Sequence, residues 1–483
     1  MARREKPTLQ DAVFRDPLRS SGGLHEAGRF RRGVAEFLRL PLVITAVFCA
    51  AAVLVSVLDA AEGAAPSRRL AAAVVPDGGS VEFITAVATS LLTVTSITFS
   101  VLLLAVQQTA SSLTAVVFDQ FLRRRANQAY FGFFVGASAF TFIILGLARE
   151  EPAPVHGAAL TLLLAITALV VLLLLIHSSI DQMRPESVVR SIHELALRAR
   201  ERELVLLGRT RMKRTTPEGT PERRVCVLDS GYVVTVHVDK LADIAASAGN
   251  GVEVLVEGQL GKYLVFGDVV ARLVGVDPDD DSRDEEVLAA FGMDDFRDVT
   301  IESGYAIDQL ENIAWETATS AAQSPQTAAV AVRALSDLLG RWLIAGERDR
   351  SDRAEQPEEL PVVYLDGAVE QGIRALATLV VGSAESRQAK TCAEIIRAFA
   401  RIAPRLREED KAVFEEVLDS ALPALIQHAE LPVLRDSLRD LEEVLEQAGH
   451  DVARLAETRG LLAEASRRLM PKPSDEPEAV HPD

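Results

Sequence analysis

The sequence predicts a mainly α-helical membrane protein, with four transmembrane helices followed by a small β-rich domain and a C-terminal α-helical domain. Long apolar runs fill much of residues 40–180, and almost nothing like them follows. The runs are residues 40–58, 81–106, 129–148 and 157–180. Roughly 20 apolar residues in a helix cross the hydrocarbon core, where only a helix or a closed barrel satisfies the backbone polar groups. We therefore predict a four-span domain over residues 40–180.

Arginine residues near the ends of these runs predict the orientation. They stand before the first run, between the second and third, and after the fourth, whereas the other two connections carry few. Cytoplasmic ends of spans are enriched in Lys and Arg, so both termini are predicted to lie in the cytoplasm. The basic tail, residues 1–39, is interpreted as disordered. Binding of its arginines to anionic headgroups of the lipid bilayer is the alternative.

The composition and the motifs argue against several classes of function. The formal net charge is −18, and the weakly charged membrane part places that acidity in the C-terminal portion, which argues against nucleic acid as a partner. The cysteines Cys49, Cys226 and Cys392 show no Cys/His spacing, so we expect no metal site. No nucleophile–base arrangement or phosphate-binding loop is evident. We therefore predict no catalytic residue, no cofactor and no enzymatic activity.

The chain segments that follow the fourth span differ in their sequence patterns. Residues 181–215 show helical spacing of apolar residues and predict a stalk helix that continues the fourth span. Residues 215–224, rich in Pro and Gly, are a predicted linker. Residues 225–275 contain short β-branched and aromatic runs separated by glycines, which predicts a small β-rich domain with a helix at 239–248.

The remaining chain is acidic and then helical. The run 277–286 is either a Ca²⁺-binding loop or a solvated linker, and we favour the linker because Ser282 and Leu288 occupy the Gly and Glu places of an EF-hand. Residues 285–470 predict an α-helical domain, with a charged loop at 347–360, and 471–483 an acidic disordered tail. The predicted helices are 307–319, 325–344, 362–381, 384–403, 408–428, 432–447 and 450–469.

The second apolar run carries a polar stripe. Its members recur at steps of three, four or seven, so they fall within an arc of about 80° if each residue turns about 100°. They are Glu82, Thr85, Thr89, Thr93, Ser96, Ser100, Gln107 and Ser111, with Leu103 as one apolar member. One interpretation is helix packing through small hydroxyl residues. The other is a water-filled path closed at Leu103 by dewetting. A path would require a homo-oligomer, because four spans are too few to enclose a pore.

The third run contains a GxxxG pattern. Gly132 and Gly136 lie four residues apart, and small residues at this spacing permit two helices to approach closely. We interpret the pair as a helix-packing site.

Several segments carry a family resemblance. Residues 92–112 (LTVTSITFSVLLLAVQQTASS), the following Phe121 to Arg125, and residues 305–314 (YAIDQLENIA) resemble the bacterial DUF2254 family of predicted membrane proteins. The resemblance implies four spans and a long C-terminal part in a bacterial cytoplasmic (inner) membrane. A family Asn-Asp pair is replaced here by Gln323 and Ser324, so no ligand site is carried over. Ser324 and Pro325 are interpreted as a helix start.

Two functions follow as expectations. The first is an oligomeric channel or conduit lined by the polar face of the second span, with a regulatory cytoplasmic domain. The alternative is a membrane-anchored scaffold or sensor whose cytoplasmic helical domain binds a protein partner or a ligand.

Overall fold

The structure, a computed structural model, describes residues 22–61, 71, 80–112, 124–148, 154–182, 184–319, 325–353, 359–427 and 431–469. The chain divides into two compact units between Val188 and Val189. We call Leu18–Val188 the membrane unit and Val189–Asp483 the C-terminal unit.

Long apolar helices make up the membrane unit. They are α1 (Gly22–Ala61), α2 (Ser80–Ser112), α3 (Arg125–Leu147) and α4 (Val155–Gln182). Each contains a stretch long and apolar enough to cross a membrane: Phe37–Ala60, Val81–Ser100, Arg125–Leu147 and Val155–Ser179. The prediction of four membrane-spanning helices is therefore confirmed, with ends that differ from the predicted ones by a few residues.

The first helix begins well before the stretch that crosses the membrane. α1 starts at Gly22, so residues 22–39 are helical, and our interpretation of them as part of a disordered tail is wrong. Residues 1–21 and 470–483 lie outside the described part of the chain, so the rest of the predicted N-terminal tail and the predicted acidic C-terminal tail do too.

The two glycines of the GxxxG pattern lie against the first span. A Cβ atom added to Gly132 would stand 2.9 Å from Cα of Pro41 and 3.1 Å from Cβ of Ile44. A Cβ atom added to Gly136 would stand 2.7 Å from the ring of Phe48. Only hydrogen fits at these two positions, which is the packing role that the spacing predicts.

A carboxylate near the end of α1 caps the start of α4. Asp59 is buried and accepts hydrogen bonds from the backbone N–H groups of His156, at 3.0 Å, and Gly157, at 2.9 Å. Its Oδ1 atom also lies 2.7 Å from Nδ1 of His156. The first N–H groups of a helix have no partner within the helix, so this contact stabilises the α4 terminus by about 1 kcal/mol.

The segment after the fourth span is a separate helix. α4 ends at Gln182, and α5 runs from Pro185 to Leu207. Proline lacks an N–H group and is favoured at the first position of a helix, so a new helix starts there. Our prediction of a continuous helix through residues 181–215 is therefore wrong.

Short strands form two sheets in the C-terminal unit. They are β1 (Glu222–Cys226), β2 (Gly231–Val236), β3 (Glu253–Val256), β4 (Tyr263–Leu264), β5 (Val269–Val274), β6 (Phe291–Asp294) and β7 (Val362–Val363). One sheet has the strand order β1-β5-β3-β7 and the other β4-β2-β6. Helices α6 (Val238–Ala248) and α7 (Asp284–Leu288) lie between strands in the sequence.

The β-rich region extends beyond the predicted range of 225–275. β1 begins at Glu222, inside the predicted linker, and β6 pairs with β2 although it lies in the range predicted as helical, 285–470. β7 comes from still later in the chain and pairs with β3 in parallel, so Val362 and Val363 form a strand instead of starting a helix. Strand pairing at long sequence separation makes the two predicted domains parts of one compact unit.

The rest of the C-terminal unit is helical. Its helices are α8 (Ser303–Thr319), α9 (Pro325–Arg353), α10 (Ala368–Glu385), α11 (Ala389–Ile402), α12 (Glu408–Ala421), α13 (Pro432–Ala448) and α14 (Ala453–Leu469), with 3-10 turns at Ala403–Arg405 and Leu422–Gln427. α9 begins at Pro325, as predicted, and its predicted cap Ser324 lies outside the described residues. α9 continues to Arg353, so residues 347–353 are helical and not part of a loop.

The acidic run at 277–286 folds against the first strand. The guanidinium of Arg223 lies 2.6 Å from Asp284 and donates to the carbonyl of Pro278 at 2.8 Å. The end of the run forms the start of α7. Among the described residues, no group of three or more His, Cys, Asp or Glu side chains is placed to hold a metal ion.

Glu253 anchors the chain that enters the larger sheet. Its buried carboxylate lies 2.6 Å from the guanidinium of Arg211. It also accepts from the backbone N–H groups of Thr215, at 3.1 Å, and Thr216, at 2.9 Å. Burial disfavours the charge of Glu253, but hydrogen bonds from the hydroxyl of Thr215, from the backbone N–H and hydroxyl of Thr216, and from Arg211 outweigh it and lower the pKa of Glu253 to about 2.

This contact predicts a pH-dependent stability. The pKa of Glu253 in the folded protein lies below its ordinary value of 4.5, so the stabilisation is present above pH 4.5 and is lost as the pH falls towards 2. Glu253→Gln should lower the free energy of unfolding by about 3 kcal/mol at neutral pH, and by much less near pH 3. Urea titrations followed by tryptophan fluorescence measure both values. A difference that stays constant with pH would contradict the assignment.

The glycine contacts predict different effects for two matched substitutions in α3. Gly132→Ala should destabilise the membrane unit by about 1–3 kcal/mol, because the backbone of Pro41 cannot move away from the new methyl group. Gly146→Ala is the control, since no atom lies within 4 Å of its added Cβ. Size-exclusion profiles after heating in detergent give the apparent Tm of each variant. Equal Tm values would show that the close approach of α1 and α3 does not matter for stability.

Candidate functional site

The polar stripe lies on the exposed face of α2. Among its members, Glu82, Thr85, Thr89, Thr93, Ser96, Ser100, Leu103 and Gln107 are all exposed. The opposite face, with Ile84, Ala88 and Leu91, is buried against the other spans of the same chain. Ser111 lies within α2, but its side chain is outside the described ones. Within the described part of the chain, these members of the stripe are therefore not buried against the other spans.

Most hydroxyl groups of the stripe donate to the preceding turn of the same helix. Thr85 donates to the carbonyl of Val81 at 2.8 Å, Thr89 to that of Thr85 at 3.0 Å, and Thr93 to that of Thr89 at 2.9 Å. Ser100 donates to the carbonyl of Ser96 at 3.0 Å. Such hydrogen bonds satisfy the donors inside the helix but leave oxygen atoms on its surface.

Packing between spans uses other polar groups. Oγ1 of Thr95 lies 3.2 Å from Oγ of Ser138, which joins α2 to α3. Thr95 is not a member of the stripe. Among the described residues, the inter-span hydrogen bond of α2 is therefore made outside the stripe.

A cavity of about 560 Å³ lies inside the C-terminal unit. Its walls come from α5, the turn at residues 259–262, the starts of α8 and α10, and the segment between β7 and α10. Small-molecule sites have volumes of roughly 300–1,000 Å³, so this cavity has the size of a ligand site. None of the residues that line it is among the site residues predicted from the sequence.

Arg200 of α5 lies at one wall of the cavity. It forms a two-pronged contact with Asp366, at 2.9 and 2.5 Å, and a third contact with Glu203 at 3.2 Å. Its guanidinium also stands 5.3 Å from the ring centre of Trp342. Burial disfavours the charge of Arg200, but the two carboxylates outweigh this effect and raise the pKa of Arg200 further. Burial likewise opposes ionisation of Asp366, and Arg200 holds the pKa of Asp366 below its ordinary value.

Glu203 and Asp366 also cap the N-termini of two helices that begin at the cavity. Glu203 accepts from the backbone N–H of Ser303, the first residue of α8, at 2.7 Å. Asp366 accepts from the backbone N–H of Ala368, the first residue of α10, at 3.3 Å. Arg200 therefore holds in place the anions that occupy two helix N-termini, where anions are favoured by the free N–H groups.

Arg297 forms a second charged cluster at the cavity. Its guanidinium pairs with Glu302, with one contact at 3.0 Å, and with Asp308. It also lies 4.6 Å from the ring centre of Tyr305 and 5.7 Å from that of Tyr232. Burial raises the pKa of Glu302 despite Arg297, and it raises the pKa of Tyr305.

A turn glycine makes room for this cluster. Gly261 has a φ of +81°, and a Cβ added there would overlap the carboxylate of Glu302. The positive φ favours glycine, and the close approach excludes any larger residue.

One signal in the sequence could have indicated this site. The buried face of α5 contains Ile192, Ala196 and Ala199, and Arg200 continues the same face at a spacing of four from Ala196. A charged residue on an apolar helix face needs a buried partner. The partner Asp366 lies far away in the sequence, so the spacing alone does not identify it.

The fold and the two candidate sites define a class: a four-span membrane protein that carries a mixed α/β C-terminal unit. The family model for predicted membrane proteins named DUF2254 matches residues 35–384, more than half of the chain, so the chain belongs to this family. The matched region contains both the stripe and the cavity and ends within α10. No curated protein and no solved structure matches the chain.

The buried arginine predicts a large effect of a single substitution. Arg200→Met should destabilise the C-terminal unit by about 3–5 kcal/mol, because Glu203 and Asp366 keep their charges without a counterion. Arg198→Met is the matched control, since Arg198 is 66% exposed and 3.8 Å from Glu194, and it should cost under about 1 kcal/mol. Both tryptophans of the chain, Trp315 and Trp342, lie in this unit, so their fluorescence reports its unfolding by urea. Similar losses in the two variants would contradict the role of Arg200.

Proposed function

We propose that the protein is a homo-oligomeric membrane conduit, lined by the polar face of α2, with a regulatory C-terminal unit. The observation that carries this proposal is the exposure of the stripe on α2. Polar groups in a membrane are favoured where they face protein or water. The single chain buries the opposite face of α2 and leaves the described stripe residues exposed. Neighbouring copies with their stripes around a common axis would give the stripe such surroundings.

The chemistry of the stripe suits a water-filled path. Hydroxyl oxygens and the backbone carbonyls beneath them can accept hydrogen bonds from water along several turns of the helix. Leu103 interrupts this surface and is 52% exposed. A ring of Leu103 side chains would form a narrow apolar segment that excludes water until the helices move apart.

The type of membrane and the orientation of the chain in it are also part of this proposal. The resemblance to the DUF2254 family favours a bacterial cytoplasmic membrane, and the arginine distribution favours both termini on the cytoplasmic side. In this orientation Glu82 stands near the outer end of the second span and Gln107 near its inner end.

A second candidate function rests on the cavity of the C-terminal unit. Its volume and its charged walls favour a membrane-anchored sensor or scaffold, in which this unit binds a ligand or a cytoplasmic protein partner. The spans would then anchor the protein and hold copies together.

A pair of neighbouring leucines tests the conduit. Leu103→Ser should increase ion flux through reconstituted liposomes, because a hydroxyl wets the apolar segment. Leu104→Ser makes the same chemical change at a position that is 63% exposed but about 100° around the helix. Flux in this control should remain at the wild-type level.

Native mass spectrometry of the wild-type protein provides the subunit count. A ring of about four to six copies is expected, since a monomer or a dimer supplies too few α2 helices for a pore. A monomer, or equal flux for both serine variants, would count against the conduit.

A further inference from the structure

The C-terminal unit also contains a pocket of about 460 Å³ beside α8. One wall is a stretch of α8 that contributes Tyr305, Asp308, Gln309, Glu311 and Asn312. Tyr305, Gln309 and Asn312 follow one another at steps of four and three, so they lie on one face of the helix. The other walls come from β2 and from the segment that follows β6.

Gln309 is a buried amide without a hydrogen-bond partner. It is 6% exposed, and its side chain makes no hydrogen bond to any residue that the structure describes. Its amide nitrogen and oxygen are not fully enclosed by protein, so the access that they retain is to the pocket that Gln309 lines. Buried polar groups normally have a partner, because an unpaired one is unfavourable. The amide therefore indicates a ligand that supplies both a donor and an acceptor.

An uncovered aromatic ring stands at the same pocket. Phe296 lines it and is 61% exposed, and no ring of the described part of the chain packs against it. Tyr232 and Tyr305 differ, because the guanidinium of Arg297 already lies 5.7 and 4.6 Å from their ring centres. Flat aromatic ligands stack on such exposed rings. Phe296 is therefore the ring that is available for stacking.

The charges at the pocket do not favour an ionic ligand. Arg297 is the only described cation among the lining residues, and it is paired with Asp308. Glu311 is hydrogen-bonded to Thr378, and Asp295 is exposed to solvent. A phosphate or a carboxylate would meet net negative charge, and the carboxylates of α8 that line the pocket already have partners within the protein. The ligand that fits is therefore uncharged.

We propose that this pocket binds the base of a nucleoside, with the base stacked on Phe296 and its edge hydrogen-bonded to the amide of Gln309. The proposal rests on the second candidate function, the ligand-binding role of the C-terminal unit. A carboxamide presents a donor and an acceptor side by side in one plane. Adenine presents the complementary acceptor and donor at N7 and its 6-amino group. A sugar would supply hydroxyl groups to Gln309 but no π face to Phe296.

Calorimetric titration of adenosine into the full-length protein in nanodiscs tests this proposal. Gln309→Met should weaken adenosine binding by about tenfold or more, because methionine has a similar length but cannot pair with the base edge. The Tm of the variant should not fall, since no protein group loses a hydrogen bond. A fall in Tm would indicate a structural role for Gln309 instead. Gln447→Met, at an exposed position of α13, is the control and should bind as the wild type does.

A second pair of variants tests the stacking. Phe296→Ala should weaken adenosine binding by about tenfold, because the base loses its aromatic partner. Phe296 is largely exposed, so this truncation should leave the fold intact. Phe266→Ala removes another exposed phenyl ring, one that does not line the pocket, and adenosine binding should stay at the wild-type level.

AMP and glucose are titrated in parallel. AMP should bind more weakly than adenosine, because its phosphate meets the acidic surroundings of the pocket, and tighter binding of AMP would overturn the proposal. Adenosine binding that is unchanged in Gln309→Met or in Phe296→Ala would overturn it too. Binding of glucose without adenosine would overturn the base assignment and leave the ligand-binding role standing. Binding of none of the three would count against both.

Discussion

Arg200 carries its guanidinium into the interior of the C-terminal unit, where Asp366 and Glu203 contact it at 2.5–3.2 Å. Each of these carboxylates also caps a helix. The guanidinium also lies over the ring of Trp342, which belongs to α9. The buried charge is tolerable only because all of these contacts are present together. Arg200 therefore links α5 to α8, α9 and α10, and the cavity lies beside it.

Capping of a helix by a carboxylate from elsewhere in the chain recurs in the membrane unit. Asp59 at the end of α1 accepts from the first N–H groups of α4, as Glu203 does for α8. In both units the acceptor comes from a segment about 100 residues away. Such contacts satisfy N–H groups that have no partner within the helix, and they fix which helix ends are neighbours. The close approach of α1 and α3 at Gly132 and Gly136 adds a second constraint in the membrane unit.

The polar stripe of α2 has hydroxyl groups that are hydrogen-bonded within the helix and yet stay exposed. Its hydroxyls donate to carbonyls one turn back, so the single chain folds without any partner for them. Their oxygen atoms remain accessible, which is what a second copy or a water-filled path would use. The C-terminal cavity differs, because most of its carboxylates are paired with Arg200 or Arg297. The first candidate site is an exposed polar helix face and the second a charged cavity.

The sequence by itself determined the elements whose causes are local. Apolar length set the four spans, Pro325 and Pro432 set helix starts, and runs of β-branched residues set the early strands, because each depends on neighbours a few residues apart. The prediction of one continuous helix through residues 181–215 was wrong, although its cause, the proline at position 185 that starts a new helix, is local. Only the tertiary structure decided that β7 joins β3, that Glu253 meets Arg211 and Thr215, and that Arg200 meets Asp366. These pairs are 38 to 166 residues apart, and no local spacing specifies which distant partner satisfies a buried charge or an open strand edge.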